Sequence, residues 1–67
     1  MNKENTIILE EEQNGFFFLM LENEKEKKEA LNIIQNGGVV SFGYSEDITK
    51  EEFEEYKKQG YTIVKLK

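Results

Sequence analysis

The chain has no cysteine, histidine, arginine, proline or tryptophan among its 67 residues, and each absence removes a class of chemistry. Without cysteine there can be neither a disulfide staple nor a thiolate metal site, and the reducing cytoplasm is the expected location. Without histidine the commonest metal ligand and general base is gone, so Ser41, Ser45 and Thr49 have no imidazole to activate them. All nine basic residues are lysines, and the planar fork that grips phosphates and guanine edges with two bonds is missing. A net charge of -5 opposes binding to a phosphate backbone, which needs a cationic surface. No direct nucleic-acid contact, metal or cofactor is therefore expected. Residues 1–5 lead into an apolar run of only Ile7, Ile8 and Leu9, short of a signal-peptide core, and no membrane segment is expected. The bias toward Lys, Asn, Ile, Glu and Phe suits an AT-rich genome, such as a low-GC bacterium, one of its phages or a mobile element.

What the sequence does have is one dense apolar run, Phe16-Phe17-Phe18-Leu19-Met20-Leu21, entered through Asn14-Gly15 and left through Glu22-Asn23. Six residues are too few to span a membrane, and a run apolar on both faces reads as a strand inside a sheet. Thr6 to Glu12 reads as the strand before it, joined by a two-residue Asn14-Gly15 turn that sets Glu12 opposite Phe17 and Leu9 opposite Met20. Glu10, Glu11 and Glu12 suit an edge strand, where charge discourages stray pairing.

Asn23 with Glu26 forms a helix-start signal, and Ala30, Leu31, Ile33 and Ile34 give that helix an apolar second half before Gln35-Asn36-Gly37-Gly38 stops it. Val39 to Tyr44 alternates and reads as a third strand. Thr49 and Glu52 make a capping box, with Ile48 placed to staple onto Phe53, and Phe53 and Tyr56 form the narrow apolar stripe of a second helix that Gly60 ends. Tyr61 to Leu66 reads as the last strand. The expected fold is a single α+β domain over residues 1–67, β-β-α-β-α-β, with a four-stranded mixed sheet and two helices on one face. The simplest strand order is 1-2-3-4, and the alternative puts the first strand between the second and third.

On that two-layer plan the other face of the sheet lies bare. Leaving three large side chains in water forfeits roughly 1.5 to 3 kcal/mol each, comparable to the stability of so small a domain. A homodimer packing sheet on sheet through Phe16, Phe17, Phe18, Leu19, Met20 and Leu21 is the expected remedy. The paired carboxylates at Glu46-Asp47, Glu51-Glu52 and Glu54-Glu55 would need a cleft to act as acid and base, and they read as solvated surface. The reading that follows is a non-enzymatic, acidic protein-interaction module that inhibits or regulates another protein, encoded by a phage or mobile element and acting on a host or defence protein. Glu10, Glu11 and Glu12 could stand in for phosphates before a basic, nucleic-acid-handling partner. The alternative is a dimer binding a nucleotide or metabolite near Tyr44, Ser45 and Thr49, in the loop between a strand and a helix.

Overall fold

The computed structural model describes residues 3–66. After a 3₁₀ turn at Lys3–Asn5 come β1 (Thr6–Glu11), β2 (Gly15–Met20), α1 (Glu24–Gln35), β3 (Tyr44–Ile48), α2 (Lys50–Lys58) and β4 (Thr62–Leu66). The order β-β-α-β-α-β and the four-stranded mixed sheet are as the sequence implies. The strands lie in the order β3-β2-β1-β4, which is neither of the expected arrangements. β2 runs antiparallel to both neighbours, and β4 is parallel to β1.

β1 is therefore an inner strand, not an edge. Its burial explains why: Thr6, Ile7 and Ile8 are buried, and only its far half carries glutamate. The hairpin turn also differs from expectation. Glu11 pairs with Gly15 across a three-residue connection, and Gly15 takes φ 101°. This shifts the pairing by three positions relative to an Asn14-Gly15 turn. Because side chains alternate, an odd shift changes which residues of β2 share a face with Ile7 and which with Ile8. The observed register sets Ile8 opposite Phe18 and Ile7 opposite Leu19, so apolar residues meet apolar residues.

The third strand is the largest displacement. Residues 38–43 form no strand, and β3 begins only at Tyr44. Val40 and Phe42 nonetheless alternate for a reason. They pack against the cluster of Ile7, Leu19, Leu21 and Ala30, so the segment covers part of a sheet face before it bends at Phe42 and Gly43.

Two apolar clusters occupy opposite faces. One joins Ile7, Leu19 and Leu21 to Ala30 of α1, with Leu9, Leu31 and Val64 around them. The other joins Ile8, Phe18 and Ile48 to Phe53 of α2, with Phe16, Tyr56 and Ile63 around them. Ile7 and Ile8, adjacent in one strand, point to opposite faces, so α1 and α2 lie on opposite sides of the sheet. The two-layer expectation with both helices together is thus corrected to three layers. Its premise was a pair of parallel crossovers, but β2 and β3 are antiparallel neighbours, and the handedness rule for crossovers does not bind α1.

Both helices start and stop as their sequences direct. The Asn23 side chain accepts the Glu26 N–H at 2.9 Å, and Thr49 and Glu52 make both bonds of a capping box, at 3.1 and 2.9 Å. At the end of α1, Gly38 N–H donates to the Ile33 carbonyl and Gly37 N–H to that of Ile34. Tyr61 and Gly60 repeat this pattern on Tyr56 and Lys57 at the end of α2, with Gly37 and Gly60 at positive φ.

Candidate functional site: two open sheet edges

The sheet order leaves β3 and β4 with one neighbour each. A strand with one neighbour offers a row of backbone donors and acceptors to any extended chain that approaches. The two edges differ in chemistry because their sequences differ.

On β3, residues Tyr44 to Asp47 are exposed and only Ile48 is buried. Glu46 lies opposite Phe18 and Asp47 opposite Phe17, so one acid projects toward each face of the edge. Tyr44 is 57% exposed. Glu46 and Glu52 both act on Tyr56 of α2. Burial first, then Glu52, then Tyr61 and Glu46, hold its phenol above the ordinary value, since each disfavours the phenolate. Glu46 of β3 and Glu52 at the start of α2 thus both lie near Tyr56.

On β4 there is no acid. Thr62, Ile63, Val64 and Leu66 are half-buried, and Lys65 alone is exposed. Beside this edge the end of α1 overhangs a groove of about 530 Å³ lined by Glu11, Ile34, Val64 and Leu66. At the other end of β4, Glu24, Lys27, Lys28 and Leu31 of α1, with Glu4, line a smaller recess against Thr62.

The residues singled out from the sequence fall differently. Phe18, Leu19 and Leu21 are buried, and Phe16, Phe17 and Met20 half-buried. Phe16 stacks on Phe53 with ring centroids 4.4 Å apart, and Phe18 meets Tyr56 edge-on at 5.9 Å. Phe16, Phe18 and Met20 thus pack on the α2 side and Leu19 and Leu21 on the α1 side with residues 38–43, while the half-buried Phe17 joins neither cluster. Glu10 and Glu11 point to opposite faces of an inner strand, while Glu12 sits exposed in the turn, so the three do not form one stripe. Tyr44 and Ser45 begin β3 on opposite faces. Thr49 lies beyond the other end of β3, its hydroxyl occupied by the Glu52 N–H at 3.1 Å, so the three do not converge on a ligand. Among the described residues no group of acids could hold a metal ion, and no helix is long and apolar enough to cross a membrane.

Sequence reasoning missed β4 as a surface, although the signal was present: Thr62 to Leu66 is the one strand without an acidic residue apart from Phe16 to Met20. No protein-family model matches the chain, and neither a curated protein nor a solved structure matches it.

Proposed function

We propose that the protein is a non-enzymatic interaction module that binds, and by binding inhibits or regulates, another protein through strand addition at its sheet edges. The observation that supports this reading is the pair of edges with no strand beyond them among the described residues, in a chain where most apolar strand residues join one of two internal clusters. At β3 the exposed Glu46 and Asp47 favour a basic extended segment, such as one carried by a nucleic-acid-handling protein. Complementary charge there would speed encounter more than it would strengthen the final complex. A cysteine-free module of this kind suits the reducing cytoplasm.

The test is capture from a lysate of the producing cell with wild-type protein and with the Glu46→Lys/Asp47→Lys variant, followed by kinetics with the purified captured protein. A stoichiometric partner should be held by the wild type, with an on-rate that falls about tenfold as salt is raised, and the charge-reversed variant should lose that dependence. If no protein is retained at stoichiometry, or the variant binds it with an unchanged on-rate and salt dependence, the reading fails.

A further inference from the structure

We infer that β4 is a self-association edge: two copies of the chain join antiparallel across a two-fold axis at Val64, making one continuous eight-stranded sheet. The inference deepens the strand-addition reading and rests on it, assigning the second edge to a second occupant.

Charge separates the two edges. An antiparallel pairing of β3 with its own copy that uses all five residues, Tyr44–Ile48, places Glu46 opposite Glu46 and repels. The same operation on Thr62–Leu66 places Val64 opposite Val64 and Lys65 opposite Ile63, with no like charges directly opposed. Pairing β3 of one copy with β4 of the next would join unlike surfaces and grow without closing, whereas two copies of β4 close on themselves.

The flanks of the edge carry charges of both signs at either end. Near Leu66 the groove between α1 and the sheet is mixed, with Ile34, Val64 and Leu66 beside Glu11, Gln35 and Lys65. Near Thr62 the recess carries Glu4 and Glu24 as well as Lys27 and Lys28. An antiparallel two-fold brings the Leu66 end of one copy against the Thr62 end of the other, twice, and neither end carries a surplus of one sign of charge to oppose the contact. It also sets the half-buried Leu31 and Ile34 of both α1 helices along the seam, on the face that already carries Val64 and Leu66. Five paired residues alone make too small an interface to persist, and this helical flank is what brings the contact toward the size of a stable one. Oligomerisation is also the remaining staple for a small domain with no cysteine.

Sedimentation equilibrium of the wild type should give twice the chain mass of 7.9 kDa at tens of micromolar. With no native cysteine, single-thiol variants report the geometry directly. Val64→Cys, a near-isosteric change, should form a disulfide-linked dimer on mild oxidation at least about tenfold faster than the exposed β3 control Ser45→Cys, since directly opposed strand residues lie within disulfide reach. A wild type that stays monomeric to several hundred micromolar overturns the inference, as does equal cross-linking of the two variants. A monomeric wild type that still holds a partner dependent on Glu46 and Asp47 refutes the dimer and leaves the interaction reading standing. A dimer with no such partner does the reverse.

Discussion

Glycines that look alike in the sequence do different work. Gly37 and Gly43 both take positive φ, at 80° and 86°. A Cβ on Gly37 would meet nothing within 4 Å, whereas on Gly43 it would lie 2.9 Å from both the Met20 carbonyl oxygen and a Leu21 methyl. Gly37→Ala should therefore cost about 1 kcal/mol, for the backbone conformation alone, and Gly43→Ala about 2 to 4 kcal/mol, because backbone must move as well. Urea midpoints compare the two; equal shifts would mean that the crossing segment is not held against β2. Truncating Ile8, which is 0% exposed between α2 and the sheet, should cost about 2 to 5 kcal/mol, enough to leave much of a domain this small unfolded. At Tyr56 the sign of the linkage can be worked out. Its folded-state pKa is raised, so the folded state holds the phenol proton longer than the unfolded state does. The stability this gives is fully present below the ordinary tyrosine value of 10.0 and is lost as pH rises through the higher folded value. Tyr56→Phe removes the linkage, so its unfolding free energy should fall less steeply than the wild type's above pH 10, measured by urea titration at successive pH values.

At the scale of elements, local signals were legible and partners were not. Asn23, Thr49 and Glu52 announced both helix starts, and the glycines at 37 and 60 both stops, because capping is chemistry between residues a few positions apart. Thr49→Ala should accordingly cost about 1 kcal/mol while Thr49→Ser costs little, read from thermal melts. Val39 to Tyr44 misled for a physical reason. Alternation reports a segment with one covered side, and Val40 and Phe42 have that outside any strand, in a segment that bends at Phe42 and Gly43. The true strand, Tyr44-Ser45-Glu46-Asp47-Ile48, looks like a loop because an edge strand exposed on both faces needs no apolar pattern. The hairpin register was misjudged because Asn14-Gly15 is a strong two-residue turn signal, and only the match of Ile7 and Ile8 with Leu19 and Phe18 overrides it.

At the scale of the molecule, one wrong placement carried the rest. With both helices on one face, the Phe16–Leu21 run needs a companion; with α1 and α2 on opposite faces, all of it but Phe17 joins an apolar cluster within one chain. What was left for partners moved from the face of the sheet to its rim, where Glu46, Asp47 and Val64 now stand as the residues to test. Stability should be distributed to match. Amide hydrogens of β1 and β2, each flanked on both sides, should exchange slowest, and those of β3 near its exposed start far faster, in native-state exchange monitored by NMR. Uniform protection across all four strands would contradict that ranking.

The parallel pairing of β1 with β4 joins nearly the first described residues to nearly the last. During synthesis, then, the β1–β2 hairpin is complete long before the strand that belongs on its outer side has left the ribosome. Until Thr62–Leu66 emerges, that berth beside Ile7 and Leu9 stands vacant, and the same strand from a neighbouring nascent chain fits it equally well. Crowded polysomes should therefore yield some strand-exchanged product, and a slower supply of new chains should suppress it.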